Sequence, residues 1–360
     1  MGKVSNMEKT RRKLLGLFGT IGVGSLAGCS ELQSRLPWTC PTHHEQVRWC
    51  FGPNGSLWSS PNAVDGAVYV GSSGGYVYAL DASDGTEQWH FETSDEINSS
   101  PAVANGVLYI GSRDRNVYAI DTNEGTELWD FQTGSYVDSS PTVANDTVYV
   151  GSDDEHLYAL SAGEGTEKWR FEANSLVDTS PVVVDETVYF SSHETLHVVA
   201  ASDGSELWHF QADGSIDSSP AVADRTAYVG SRDGHVYALN VDDGAEKWRF
   251  QTEGEIRSSP VVVQDTVYTT REGTVYALNA NDGTEQSRFQ IGSSASSTPT
   301  VANSTLYVGS LNGNVYALDV NDGTERWRYE TDNSVFASPA VTDDYVYVGI
   351  SGRLYALENN

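Results

Sequence analysis

Eight residues spaced by 39 or 40 positions have side chains that could do chemistry together: Trp58, Asn98, Asp138, Asp178, Asp217, Arg257, Ser296 and Phe336. Each comes directly before the same short signature, Ser-Ser-Pro or a close variant, so each has the same address in a repeated unit. Three successive carboxylates, an arginine after them and an aromatic residue at either end of the series are more than repeat drift requires. Carboxylate and amide oxygens from neighbouring strands are the donors that a hard cation such as Ca²⁺ takes. The same groups, with the aromatics, suit a peptide or another polar ligand. The bland alternative is an acidic protein that places solvated aspartates wherever its surface allows. No Ser/His/Asp set, phosphate-binding loop or C-x-x-C-H motif accompanies them, and no residue is assigned a catalytic role.

The elements that hold these residues follow from the repeat itself. The signature prolines are Pro61, Pro101, Pro141, Pro181, Pro220, Pro260, Pro299 and Pro339. A second marker runs Trp49, Trp89, Trp129, Trp169, Trp208, Trp248, Ser287 and Trp327. Each period contains four short runs rich in Val, Tyr, Thr and Trp, such as SSPAVA, VLYIGS, NVYAID and TELWDFQT, separated by turn residues. Four short strands in a period of about 40 residues predict one blade of an all-β propeller. The last copy stops before its tryptophan strand, and the chain's first copy is an orphan tryptophan strand, VRWCF. A ring explains this division: residues 47–51 complete the last blade, giving eight four-stranded antiparallel blades with no open sheet edge. The eight residues then stand where the inner strands converge at the mouth of a central channel.

The segment ALDASDGTEQW recurs as AIDTNEGTELW, ALSAGEGTEKW, ALNVDDGAEKW and ALDVNDGTERW. Asp-Gly supplies a tight turn, and the broad indole needs a small neighbour to pack on. This pattern resembles the tryptophan-docking motif of the propellers named for pyrroloquinoline quinone (PQQ), over residues 46–360. Two copies depart from it: Ser287 replaces the tryptophan, and the copy ending at Trp208 has Val198 and Ala200 in place of Ala and Asp. Looser packing between those blades is expected.

The resemblance implies two kinds of function. Quinoprotein dehydrogenases of this family carry a vicinal Cys-Cys pair, a Ca²⁺ site of Glu, Asn and Asp, and long insertions covering the quinone. Here no two cysteines are adjacent and every repeat is 39 or 40 residues. The chain is more similar to lipoprotein scaffolds like the BamB subunit of the outer-membrane barrel assembly machinery. The expectation is therefore a scaffold that binds an envelope protein or peptide through the face bearing Trp58, Asn98, Asp138, Asp178, Asp217, Arg257 and Phe336, without a cofactor. The alternative is a PQQ/Ca²⁺-dependent dehydrogenase in which Asn98 and the three aspartates supply Ca²⁺ ligands.

The hairpins beside this face add Arg113, Asp114, Arg115, Asp153, Asp154, Glu155, His156, His193, Glu194, Arg232, Asp233 and His235. His156, His193 and His235 lie on three different blades, which argues against a shared metal. The tyrosine of VYAL and its variants is expected to be strand packing.

Fifty Asp and Glu against 21 Lys and Arg give a net charge of −29, which argues against nucleic-acid phosphate as a partner. Beyond the N-terminus only Lys168 and Lys247 are lysines, and acids occur in every repeat, a pattern that resembles proteins of salt-loving archaea. Residues 1–28 read as an export signal: Arg11-Arg12-Lys13 precedes the short apolar run Leu14–Ala27 and resembles a twin-arginine signal. Leu26-Ala27-Gly28-Cys29 resembles a lipobox, which would put lipid on Cys29 and hold the exported protein to the outer side of the cytoplasmic membrane. Residues 29–45 form a tether and 46–360 the propeller, expected to be a monomeric ring. Stable anchoring requires two acyl chains on Cys29. Cys40 and Cys50 either bridge tether and propeller or stay free thiols, because spacing does not fix connectivity. His43-His44 between them is weak ground for a metal site.

Overall fold

A computed structural model describes residues 46–292, 297–331 and 333–359. Of the two compact units of the chain, Met1–Cys40 and Pro41–Asn360, only the second contains described residues. The lipidation, signal and tether assignments, with Cys29, Cys40 and His43-His44, therefore lie outside them, as does Ser296.

The described strands form eight four-stranded antiparallel sheets. In the first blade the inner strand Asn62–Val64 pairs with Ala67–Gly71, then Tyr76–Asp81, then the outer strand Glu87–Glu92. The inner strands of successive blades touch one another, and Asn62–Val64 also touches Ala340–Val341 of the last blade, so the ring closes. Closure has the predicted form. Strand Val47–Phe51 pairs with Arg353–Glu358, which pairs with Tyr345–Ile350 and then Ala340–Val341.

Each blade binds the next by one repeated device. The Trp89 indole donates to Thr122 O at 2.8 Å and lies against Gly125, whose φ of +67° suits glycine; a Cβ there would come within 2.6 Å of the ring. Trp129 and Trp169 donate in the same way to Ala162 O and Ala201 O. At the closure Trp49 donates to Ala82 O at 3.0 Å, and Tyr347 donates to the same carbonyl at 3.1 Å. A Cβ on Gly85 would come within 2.6 Å of the Trp49 ring, so the N-terminal strand carries the device across the seam.

At both divergent copies an aromatic ring still lies on the glycine of the next blade, although the Ser287 junction makes no indole bond. Where Ser287 stands, Phe289, two residues on, turns inward and is 93 % buried, since only 7 % of its surface is exposed. Its ring lies over Gly323, where a Cβ would meet it at 1.8 Å. Tyr268 still donates across the same junction to Val320 O. In the other copy Trp169 lies on Gly204 and Trp208 donates to Val241 O at 2.8 Å, so Val198 and Ala200 leave both docks intact. At the Ser287 junction a side chain two residues along the same strand supplies the ring that lies on the glycine.

The Ser-Ser-Pro signature has a mechanical reason. The first hydroxyl is buried and fixes the start of its own blade: Ser99 donates to Gly111 O and accepts from Gly111 N. The second accepts from the blade before it, as Ser140 does from Ser100 N, and Ser60 accepts from Ser338 N across the closure at 3.0 Å. Among the described residues, the one preceding a signature that begins with Ser or Thr is thereby held next to a fixed point of its own blade.

Candidate functional site at the channel mouth

The mouth is a row of carboxylates that arginines neutralise in part. Asp138 accepts Arg113 Nε at 3.0 Å and Nη2 at 2.9 Å, the paired geometry that makes guanidinium–carboxylate contacts strong. Asn98 Nδ2 donates to the same carboxylate at 3.3 Å, and Arg113 Nη1 also reaches Glu96 at 3.3 Å. Two blades further on, Arg232 Nε donates to Asp217 at 2.6 Å. Arg257 turns outward onto Glu255 at 2.8 Å. Two of the three mouth aspartates are thus paired with arginines, and Asp178, between them in the series, is exposed.

Surrounding protein strips bulk solvation from Asp178, and the charges of Asp217 and Asp138 add to this, so its carboxyl titrates above the usual range. Asp153, from the hairpin beside Asp138, is pushed up to about 6, first by burial and then by Asp138 and Asp178. The structure therefore brings Asn98, Asp138, Asp178 and Asp217 into one electrostatic neighbourhood and sets Arg257 at its edge.

A carboxylate whose folded value lies above its unfolded value of 3.8 costs stability when charged. For Asp153 that cost is complete above about pH 6 and gone below pH 3.8, so its contribution to stability falls as pH rises through this window. Asp153→Asn is expected to stabilise the protein at pH 7 by about 1–2 kcal/mol, allowing for channel solvent. Chemical denaturation of both forms at pH 7 and pH 4 checks it: the gap closes at the lower pH, and an equal gap at both would contradict the assignment.

The mouth also carries exposed apolar side chains. Trp58 and Phe336 meet across the closure with ring centroids 4.9 Å apart, and remain 50 % and 42 % exposed. Tyr136 and Leu176, on the connections that carry Asp138 and Asp178, are 45 % and 42 % exposed. Among the described residues the only other large apolar side chains so exposed are Leu128 and Leu207 on outer strands. Four of six thus share one face.

Other sequence candidates are structural. Asp114, Asp154 and Asp233 accept the hydroxyls of Tyr118, Tyr158 and Tyr237 at 2.7–2.8 Å, fastening each hairpin to its own strand, and these tyrosines are buried as expected. His156 and His235 contact Asp154 and Asp233 of their own hairpins, and His193 stands beside Glu194. Cys50 is in a disulfide, and Cys40 lies outside the described residues. Sequence reasoning missed the pairing of Arg113 and Arg232 with the mouth aspartates; their place directly after Gly-Ser in their copies was the available signal.

The donor set fits a Ca²⁺–quinone site poorly. A cation would need oxygens from several of these residues, and Asp138 and Asp217 are already committed to arginines. The chain also holds no vicinal cysteine pair.

Fold and repeat define a closed eight-bladed propeller of PQQ-like units. A family described as outer membrane protein assembly factor BamB matches residues 43–100, 73–195, 192–285 and 271–360, and the chain belongs to it. No curated protein is matched. Among solved structures, BamB from Moraxella catarrhalis is 18 % identical with a TM-score of 0.75, over 87 % of this chain and 99 % of that one. The computationally designed Ika8 protein is 16 % identical with a TM-score of 0.79, over 87 % and 99 %. A europium-containing methanol dehydrogenase is 14 % identical with a TM-score of 0.76, over 87 % and 93 %. At these identities the likenesses speak for the fold alone.

Proposed function

We propose that this protein is an exported, lipid-anchored scaffold whose channel-mouth face binds an envelope protein or peptide. The observation that carries the reading is the gathering of Trp58, Tyr136, Leu176 and Phe336 on the one face that also holds an unneutralised carboxylate, Asp178. Exposed aromatics beside polar groups are what interface hot spots are made of. The Trp58–Phe336 pair takes a hydrophobic or aromatic anchor, and Asp178 takes an arginine or lysine, so the bound segment is basic. Family membership supports a protein-binding role in general, and the commitment of Asp138 and Asp217 to arginines weighs against the dehydrogenase reading. Site-specific crosslinking from the face tests it, with titration by PQQ and Ca²⁺ and a dye-linked alcohol oxidation assay as the opposing measurement. Quinone-dependent turnover that Asp178→Ala abolishes would overturn the scaffold reading.

Attachment is through Cys29, after removal of residues 1–28. Mass spectrometry of the mature chain is expected to find Cys29 at the N-terminus with lipid on it. An intact Met1 or a bare Cys29 would refute the anchor.

A further inference from the structure

His197 stands where sister blades have a tyrosine, and the exchange opens a second site away from the channel mouth. In three of those blades the tyrosine hydroxyl reaches an aspartate of the hairpin, as Tyr158 does Asp154 at 2.8 Å. The His197 copy reads SSHETLHVVA against GSRDGHVYAL, with a hairpin one residue shorter and neither partner of that bond. A cavity of about 640 Å³ lies there, with His193, Glu194, His197, Glu206 and His209 among its lining residues.

His197 is only 4 % exposed, yet neither ring nitrogen has a hydrogen-bond partner. Phe190 stacks on it at 5.1 Å between centroids and Phe171 packs at 5.3 Å, which fixes the ring. A buried imidazole whose nitrogens make no hydrogen bond, with only a long approach from one carboxylate, is costly unless something further occupies them. Directly across the sheet, His209 is its register partner, so both rings rise from one face. Glu206 and His209 are three apart, which in a regular strand would put them on opposite faces; the bulge between Val198 and Val199 restores them to one. As a result Glu206 Oε1 stands 3.5 Å from His197 Nδ1 and 3.1 Å from His209 Nδ1. Two donors on one tetrahedral ion lie roughly 3.3 Å apart, given bonds of about 2.0–2.1 Å.

We propose that His197, Glu206 and His209 bind a late first-row divalent metal ion such as Zn²⁺, with a coordination position open to the cavity. Imidazole with carboxylate selects this class over Ca²⁺ or Mg²⁺. Among the described residues no three such side chains yet converge on one point, and the two imidazole centroids are 6.5 Å apart. His209, 60 % exposed, supplies the movement while His197 stays packed. The chain carries its own comparison: the other outer strands pair the same glutamate with arginine, as Glu167 with Arg170 and Glu285 with Arg288, or leave tyrosine opposite, as Tyr78 is to His90.

The test is titration of the chelator-treated full chain in high salt, with Zn²⁺ by calorimetry and with Co²⁺ by visible absorption. One equivalent is expected, with the Co²⁺ band of a four- or five-coordinate ion. His197→Tyr, which restores the sister residue, and His209→Arg, which copies Arg170, are expected to weaken binding by more than the roughly 100-fold that loss of an outer-shell partner costs. Thermal unfolding confirms that at least one variant is folded, and the exposed position of His209 keeps that variant informative if His197→Tyr misfolds. Absence of saturable binding would overturn the proposal. So would binding that persists in a folded variant, or binding lost only in His43→Ala/His44→Ala.

Discussion

Removal of residues 46–52 is expected to convert the closed ring into an aggregating chain. The deletion takes away the strand that pairs with Arg353–Glu358, leaving an outer edge of unpaired backbone groups in the last blade. It also removes the Trp49 ring from Gly85 and the bond from its indole to Ala82 O, which hold the first blade to the last. A milder form isolates the dock: Trp49→Ala is expected to lower unfolding free energy by about 3–5 kcal/mol, the range for large aromatic truncations in cores. Light scattering and denaturant unfolding check the two. A deletion variant that scattered light no more than the full chain, with unchanged unfolding, would contradict closure by the N-terminal strand.

The repeat made this architecture readable before any coordinates, because its period of 39–40 residues, its four strand-like runs and its split copy each constrain the same ring. The mouth positions were readable for a related reason: Ser99 and its hydroxyl-bearing counterparts, such as Ser59 and Ser218, fix the start of the blade directly after the mouth residue, whatever that residue is. What depends on side-chain direction was not. Phe289 takes over from the missing tryptophan because it shares the inward face of its strand, a choice invisible in a motif that scores position 287 alone. The pairing of Asp138 with Arg113 joins residues 25 apart, and that of Asp217 with Arg232 residues 15 apart. The approach of Glu206 to His209 needs a bulge that spacing does not announce.

The second large effect is expected at the binding face. Trp58→Ala and Phe336→Ala should each weaken partner binding roughly 10- to 100-fold, as buried aromatic anchors do, with little change in fold because both rings are exposed in the free protein. Asp178→Lys should weaken it comparably and reverse the preference for a basic segment, since a like charge then meets the incoming cation. Leu128→Ala, on an outer strand and 51 % exposed, should leave binding unchanged.

The most direct measurement is photo-crosslinking in intact cells from a benzophenone amino acid placed at position 58, 336 or 128. A face that recognises an envelope protein or peptide predicts one dominant crosslinked product from 58 and 336, little from 128, and loss of that product when Asp178→Lys is added. Equal products from all three positions, or a product from 58 that Asp178→Lys leaves untouched, would contradict recognition at the channel mouth.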